Sequence, residues 1–406
     1  MKKVNLLKMS LAISVLFATA SCKKNADAGL EQQIPGVLTE EMMSEKNANP
    51  DEMTVKEQGN LGTEASRDNQ HFLYTESNGS GTNEIFAYKI KNDGSLKLKQ
   101  TVNAGGSGTG SPLGSQGALC ISQDNEWLFA INAGSNSVSS FKIQNDGMLM
   151  LKSTVNTHGT TPVSVTVSGN LMYVLNRGSD NIHGFHIGGG GSLTPIPGSG
   201  KSLSSSTVDA PQISFTPGGE WVIVTEKATN IIGSFKVNNN GSVQMGDFNN
   251  SVGQTPFGFS FARNNFMIVS NASGGGAGAG STTSYRISGN GTPDDVNGAI
   301  ANSQSAPCWV ATTKYGRYAF VTNTASNNIS SYYVAPWGGL YLVHSVAAAS
   351  DMGPLDIVVA ANNYYVYVVN AGSHTITGYT RGLFGGLDFL NRELGLPAGT
   401  TGLATL

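Results

Sequence analysis

The sequence is poor in charged residues and in cysteine. Asp, Glu, Lys and Arg make up only 13% of its 406 residues, and the formal net charge is −3. From residue 71 onward, 17 acidic residues balance 16 basic ones with no basic stripe, which argues against nucleic acid as a partner. Of the three cysteines, Cys22, Cys120 and Cys308, the repeat described below separates the last two, so we expect two buried free thiols rather than a disulfide.

Several signatures of chemistry are also missing. No zinc, haem or nucleotide motif occurs, so no metal and no cofactor is expected, and there is no G-x-S-x-G nucleophile elbow. The Gly-rich stretch NASGGGAGAGSTT lacks the Gly-Lys-Ser/Thr of a phosphate loop. His183 and His186 form an H-x-x-H phrase, but on a strand this spacing points the two imidazoles to opposite faces. A zinc ion shared by these two histidines is therefore not expected.

A long apolar run lies near the start of the sequence. The segment MSLAISVLFATA follows three lysines, is too short to span a bilayer stably and has the length of a signal-peptide core. It ends in TASC, which resembles a bacterial lipobox. Residues 1–22 are thus predicted to be a lipoprotein signal peptide with lipidation at Cys22, an ordinary secretory signal being the alternative. Acyl chains would then anchor the protein in a membrane of the bacterial cell envelope, in the periplasm or at the outer membrane.

Two further regions follow the predicted signal. Residues 23–70 hold ten acidic against five basic residues and few large apolar ones, which predicts a disordered tether. Residues 71–406 are long for one ordinary domain unless that domain is a ring of repeats. Glycine is abundant, with 52 residues, and together with the low charge this favours an exported all-β fold rich in tight turns.

A repeat organises residues 71–406. Each unit contains an apolar run that ends in a polar residue, and these residues are Glu76, Asn132, Asn176, Glu226, Asn271, Asn323 and Asn370. A polar turn, a second strand, a Gly turn and a third strand follow each run. An earlier, introductory strand precedes six of the units, and five of the six begin with proline, which is tolerated at the first residue of a strand. Four antiparallel strands at a period of 44–56 residues are typical of a β-propeller blade.

The seventh introductory strand is supplied by the end of the sequence. The segment LPAGTTGLATL has the pattern of such a strand, and no further strand follows it. We therefore predict an all-β, seven-bladed β-propeller whose ring is closed when this segment pairs with the blade that begins at His71. A monomer is expected.

The units resemble the propellers built from Tyr-Val-Thr-Asn repeats, as in the phrase FVTN at residues 320–323. The whole of residues 71–406 resembles more closely the seven-bladed lactonase family, which includes bacterial 6-phosphogluconolactonase and fungal carboxymuconate cyclase. The phrase FTPGGEWVIVTEKATNIIGSF carries this resemblance. It implies a candidate catalytic acid or base at Glu226, beside His and Arg residues near the top of the central channel, and a small lactone or sugar acid as ligand.

The chain departs from the family pattern at the channel mouth. The family often has Pro-His at the head of the innermost strands, whereas the corresponding residues here are Val163, Gln212, Phe257, Cys308 and Leu355. The most obvious general base is therefore missing. Candidate binding residues are Gln212, the cations Arg177, Lys227 and Arg263, and His158 on the loop that leads into an innermost strand.

Two functions remain open. One is a lactone hydrolase acting on a sugar acid, with Glu226 as base and an Arg or Lys that stabilises the oxyanion. The other is a non-catalytic propeller that binds a glycan, peptide or protein partner at the cell envelope. A Glu at a strand end can also simply accept backbone N–H bonds, and Glu76 shows that the repeat tolerates Glu elsewhere.

Overall fold

The computed structural model describes residues 71–406, which form seven antiparallel sheets arranged as blades. Blade 1 contains β1 (His71–Glu76), β2 (Glu84–Ile90), β3 (Leu96–Asn103) and the C-terminal β29 (Thr401–Thr405); blade 2 contains β4 (Leu119–Ile121), β5 (Trp127–Asn132), β6 (Ser137–Ile143) and β7 (Leu149–Asn156). Blade 3 contains β8 (Pro162–Ser168), β9 (Leu171–Asn176), β10 (Asn181–Ile187) and a divided outer edge of β11 (Leu193–Pro195) and β12 (Lys201–Ser202).

The remaining blades each have four strands. Blade 4 contains β13 (Gln212–Phe215), β14 (Trp221–Glu226), β15 (Ile231–Lys236) and β16 (Asp247–Asn250); blade 5 contains β17 (Pro256–Phe261), β18 (Phe266–Asn271), β19 (Ser281–Ile287) and β20 (Pro293–Ala301). Blade 6 contains β21 (Pro307–Thr312), β22 (Tyr318–Asn323), β23 (Asn328–Val334) and β24 (Leu340–Ala349); blade 7 contains β25 (Pro354–Val359), β26 (Tyr365–Asn370), β27 (Thr375–Arg381) and β28 (Leu387–Leu394).

The predicted seven-bladed, all-β architecture is confirmed. Each polar residue of the sequence repeat is the last residue of the second strand of its blade, from Glu76 to Asn370. The predicted signal peptide, the lipidation at Cys22 and the tether lie outside the described residues. Within residues 71–406, no helix is long and apolar enough to cross a membrane.

The second strand of each blade is buried along its length, apart from the first residue of β1 and of β9, because the blade packs between two neighbours. Every residue of β5, β14, β18, β22 and β26 is buried. The outermost strands, by contrast, alternate or are largely exposed, as in β3 and β7. This difference explains why the second strands are continuous apolar runs and do not alternate.

A glycine turn packs each blade against the preceding one. The turn between the third and fourth strands lies against the first or second side chain of the second strand of the blade before it. At Gly191, which has φ +79°, a Cβ atom would lie 2.2 Å from the Trp127 ring. The seven pairs are Gly94–Tyr365, Gly147–Phe72, Gly191–Trp127, Gly241–Leu171, Gly291–Trp221, Gly338–Phe266 and Gly385–Tyr318. Both the positive φ and the close approach require glycine at these turns.

The C-terminal strand closes the ring, as predicted. β29 pairs antiparallel with β1, with Leu73 opposite Thr405 and Tyr74 opposite Ala404. Blade 1 thus takes its innermost strand, β29, from the end of the described chain, and the inner edge of β1 is paired.

The two described cysteines are both free, as predicted. Cys308 is buried, whereas Cys120 is partly exposed, which corrects the expectation that both thiols are buried. Burial raises the pKa of each thiol to about 11, so both are neutral at physiological pH.

Candidate functional site

One end of the central channel is covered by part of the connection between blades 1 and 2. The innermost strands begin at one face of the ring, which we call the start face, and end at the other, the end face. Residues 104–118 connect β3 to β4, and the part formed by residues 113–117, which we call the strap, runs across the start face. It reaches both sides of the channel: Trp309 Nε1 of blade 6 donates to Ser115 O at 2.8 Å, and Ser115 Oγ donates to Val163 O of blade 3 at 2.9 Å.

Gln116 is the central anchor of the strap. Its Nε2 donates to Val310 O at 2.7 Å and its Oε1 accepts from Val310 N at 3.1 Å, so the side chain pairs with the innermost strand of blade 6 like an added strand residue. Gly258 of blade 5 makes room for it, since a Cβ there would lie 2.1 Å from Gln116 Oε1. The strap therefore closes the channel at the start face.

Beside the strap, two cations meet on one carboxylate. Lys227 Nζ lies 3.0 Å from Asp209 Oδ2, and Arg177 Nη1 lies 3.8 Å from Asp209 Oδ1. Arg177 also donates to Leu113 O of the strap at 2.7 Å. The Lys227 ammonium sits 4.7 Å from the centre of the Phe257 ring, a cation–π contact. We call Arg177, Asp209 and Lys227 the rim cluster.

Three connections of the fold bring the rim cluster together. Arg177 lies in a single 3-10 turn, Arg177–Ser179, after the second strand of blade 3, and Lys227 occupies the equivalent place in blade 4. Asp209 lies between them in residues 203–211, which lead from blade 3 to blade 4. Burial lowers the pKa of Arg177, and the charge of Asp209 opposes this effect. Its guanidinium nonetheless keeps its charge at neutral pH because the ordinary pKa of arginine is so high.

The loop of residues 203–211 is held in place by two acidic side chains. The Asp180 carboxylate accepts from Thr207 N at 2.7 Å and from Val208 N at 3.3 Å. Asp209 itself has φ +51°, a left-handed conformation that Asp tolerates better than most residues. The Asp209 carboxylate is therefore presented by a fixed backbone, and 51% of its side chain remains exposed to solvent.

The second acidic anchor of this loop is Glu226. Its side chain is fully buried; Oε1 accepts from Ser204 N at 3.0 Å, and Oε2 accepts from the Ser204 hydroxyl and, at 2.7 Å, from Thr229 Oγ1. Both oxygens thus have protein donors, and the two donors of Ser204 belong to the loop that carries Asp209. Lys227 is the next residue in the chain and projects to the rim cluster instead.

The other candidate residues occupy separate places. Gln212 is buried and pairs with Phe259 of blade 5, donating from Nε2 to O at 2.9 Å and accepting from N at 2.6 Å. Arg263 lies in the turn Arg263–Asn265 at the end face, where Nε donates to Val334 O at 2.7 Å. His158 is exposed and stacks on His183, with 4.5 Å between ring centroids. Of the predicted candidates, the structure brings Arg177 and Lys227 together.

Asp209 and Asp356 are candidate residues that were not predicted from the sequence. Asp356 lies on β25 and is the only charged residue in the innermost strands β4, β8, β13, β17, β21, β25 and β29. That property could have identified it from the sequence, because an ionisable residue in an apolar central strand needs a reason. Burial raises the pKa of Asp356 to about 7, although Leu403 N and Ile357 N both donate to its carboxylate. Asp209 gave no comparable signal, since it lies in a polar loop.

The rim cluster has a defined chemical capacity. Two cations can hold an anionic group such as a carboxylate or phosphate, or stabilise negative charge that develops on an oxygen. The half-exposed carboxylate between them can accept a proton from water. Among residues 71–406, no group of three or more His, Cys, Asp and Glu side chains is arranged to hold a metal ion.

Comparisons with known proteins agree with the fold. A family model described as "Lactonase, 7-bladed beta-propeller" matches residues 64–208, which include Arg177 and the strap. No curated protein sequence gives a significant match. A "putative 6-phosphogluconolactonase" from Bacteroides fragilis is 18% identical, with a TM-score of 0.70, and the alignment covers 84% of this chain and 100% of that one.

A second solved structure is similar to the same degree. The periplasmic gluconolactonase of Pseudomonas aeruginosa is 19% identical, with a TM-score of 0.65, and 82% of this chain and 98% of that one are covered. At such identities the likeness concerns the fold. The chain is therefore a seven-bladed β-propeller, and its residues 64–208 match the lactonase family model.

Proposed function

We propose that this protein hydrolyses the lactone of an anionic sugar acid at the rim cluster. The observation that carries the proposal is the meeting of Arg177 and Lys227, from two different blades, on the half-exposed carboxylate of Asp209. The lactonase family model, which matches the part of the chain containing Arg177, supports this choice of reaction. Two cations at one position favour a substrate that carries a carboxylate or phosphate in addition to the lactone ring.

The reaction needs one water molecule, one proton transfer to Asp209 and one proton transfer from it. The water oxygen bonds to the lactone carbonyl carbon while Asp209 takes a proton from that water. The Lys227 ammonium stabilises the oxyanion that forms, and Arg177 holds the remote anionic group. The ring C–O bond then breaks, and the leaving alkoxide receives the proton from Asp209. The product is the open sugar acid, and its new carboxyl group releases its proton to solvent to become a carboxylate.

Glu226 has two possible roles in this scheme, and they predict different kinetics. As the catalytic base implied by the family resemblance, it would have to exchange Ser204 for water, and Glu226→Gln would abolish kcat. As a positioning residue, it fixes the loop that carries Asp209, and Glu226→Gln, which can still accept from Ser204 N, would keep most of kcat. We favour the positioning role because both carboxylate oxygens have protein donors.

The test compares two lactones that differ only in a phosphate. 6-Phosphogluconolactone and glucono-δ-lactone are assayed with the wild type, Lys227→Met, Arg177→Met and the control Lys152→Met, which changes an exposed lysine on β7. We expect Arg177→Met to raise KM for the phosphorylated lactone about tenfold or more, with a smaller effect on the neutral lactone, and Lys227→Met to lower kcat for both lactones. A wild-type rate equal to that of buffer for both lactones, and for acyl lactones, would refute hydrolysis.

Binding without catalysis is the second candidate function. It is favoured by the two ion pairs of Asp209, which leave this carboxylate less free to act as a base. In that case 6-phosphogluconate would bind to the wild type and more weakly to Lys227→Met, while no lactone would be consumed. Titration calorimetry beside the kinetic assay separates the two functions.

We also propose that the protein is exported and anchored by lipid at Cys22. The basic start, the short apolar core and the TASC phrase of the sequence support this proposal. Labelling with radioactive palmitate in a bacterial host should mark the wild type and not Cys22→Ala. Equal labelling of both proteins, or of neither, would contradict it.

A further inference from the structure

The channel beneath the strap contains a cavity that is separate from the rim cluster. Its volume is ≈ 280 Å³, and residues of all seven innermost strands line it. Since the strap covers the start face, access has to come from the end face. Exposure along the strands agrees: β17 and β25 begin with four buried residues and end with two partly exposed ones, and β29 also ends partly exposed.

The cavity has a single charged group among the residues that line it. That group belongs to Asp356, and no lysine, arginine or histidine is among the described lining residues. Cys120 is the other titratable group there, and its thiol is neutral because burial raises its pKa to about 11. Each Asp356 oxygen accepts one backbone N–H, from Leu403 at 3.0 Å or from Ile357 at 3.1 Å. A carboxylate offers about four acceptor sites, so roughly two remain for a ligand.

The hydroxyl groups of the cavity have mostly used their hydrogens. Ser214 Oγ donates to Phe215 O at 3.1 Å, and Thr312 Oγ1 donates to Phe261 O at 2.9 Å. Ser260 Oγ lies 2.9 Å from Thr312 Oγ1 and must be the donor of that pair, because the one hydrogen of Thr312 is already used. What these hydroxyl groups can still offer to a ligand is oxygen lone pairs.

The two glutamine amides of the lining are committed in the same way. Gln116 Nε2 donates to Val310 O and Gln212 Nε2 donates to Phe259 O. The Cys120 thiol points to Ile121 O at 3.6 Å. The side chains of the cavity thus present mainly acceptors and one carboxylate to its contents. Such a lining matches a ligand that is rich in donors and positively charged.

We propose that the channel is a binding site, entered from the end face, for a small organic cation with N–H donors, a primary ammonium compound that pairs with Asp356. The site is independent of the proposed lactone hydrolysis, because it lies on the other side of the strap and uses none of the rim residues. The volume limits the ligand to roughly the size of a single six-membered ring with its substituents.

The experiment uses two molecules of equal shape, 4-aminocyclohexanol and cyclohexane-1,4-diol, in calorimetric titrations of the full-length protein at pH 8. The wild type should bind the amine at one site at least about tenfold more tightly than the diol. Asp356→Asn should abolish this preference. Asp247→Asn, the same change on the exposed outer strand of blade 4, should leave it intact.

Each other result overturns the proposal. Equal affinity for amine and diol would identify a site for polyols, and absence of binding would leave the cavity without this ligand class. A preference that survives in Asp356→Asn would place the cation elsewhere. If Asp356→Asn does not fold, the wild type alone decides: the affinity for the amine, which stays protonated in this range, must rise between pH 6 and pH 8 as Asp356 ionises. A flat profile contradicts the proposal, whatever the lactonase assay shows.

Discussion

Replacing Asp356 by asparagine should change how the stability of the protein depends on pH. The Asp356 side chain is buried in the channel wall and bonds to Leu403 N of the closing strand. Burial raises its pKa from 3.8 to about 7. Between these two values the folded state holds a proton that the unfolded state has released, so the free energy of unfolding falls as pH rises toward 7. Asparagine carries no such proton, and the variant lacks this dependence.

The size of the effect follows from the displacement of the pKa. Each pKa unit corresponds to about 1.4 kcal/mol, so the change from 3.8 to about 7 corresponds to roughly 4 kcal/mol over the whole range. Part of this change in the free energy of unfolding occurs below pH 5. Between pH 5 and pH 8 the wild type should therefore lose roughly 2–3 kcal/mol relative to Asp356→Asn. Glu76, whose pKa is also raised by burial, is present in both proteins and cancels in the difference.

Guanidinium titrations at intervals from pH 5 to pH 8 measure this difference directly, with Asp247→Asn as the control that keeps the wild-type dependence. Stability is compared within each pH, so effects of pH on the denaturant cancel. A difference between wild type and Asp356→Asn that stays constant from pH 5 to pH 8 would refute the reasoning. It would mean that the carboxyl group ionises at an ordinary pH.

Three further predictions test the closure of the ring, the strap and the exposure of Cys120. Deletion of residues 401–406 removes the innermost strand of blade 1, and we expect loss of the cooperative thermal transition; an unchanged Tm would contradict closure by this strand. Gly258→Ala should lower the free energy of unfolding by about 1–3 kcal/mol through its clash with Gln116, and Gln116→Ala should relieve part of that loss in guanidinium titrations of the double variant. In a variant with Cys22→Ser, Cys120 should react with a small thiol reagent faster than Cys308. Burial raises the pKa of both thiols to about 11, so only their access to the reagent differs. The reverse order of modification, measured by mass spectrometry, would contradict the partial exposure of Cys120.

The fold was predictable because each blade repeats the same physical requirements. A doubly buried second strand must be apolar, a turn against a neighbouring ring must be glycine, and an innermost strand can begin with proline. The first two constraints recur in all seven blades and the proline in most of them, so the register of strands such as β14 and β26 could be read from the sequence to the residue. Closure by β29 followed from the count of strands alone.

The site was less predictable because it depends on connections that do not repeat. The spacing from Glu76 to Asn132 is 56 residues, the largest in the series, and residues 104–118 with the strap account for it. The connection of residues 203–211, which carries Asp209, likewise lengthens the third interval to 50. An excess in spacing shows where chain has been added. It does not show that the added chain crosses the channel or meets Arg177, since those contacts join residues far apart in sequence.

The glutamate at position 226 is explained by what the equivalent asparagines do. In blades 5 and 7, Asn271 and Asn370 donate from Nδ2 to hydroxyl groups on the third strand of their own blade. A glutamate side chain lacks the amide hydrogens that these asparagines donate, and at position 226 the Ser204 end of the long connection supplies donors to the carboxyl group instead. Glu in place of Asn at this position is therefore explained by the added loop that bears Asp209, because that loop supplies its hydrogen-bond donors. Glu226 would then affect activity only by positioning residues 203–211. Glu226→Asn, which restores the residue of the repeat, should therefore increase the mobility of residues 203–211 more than that of the strands of blade 4.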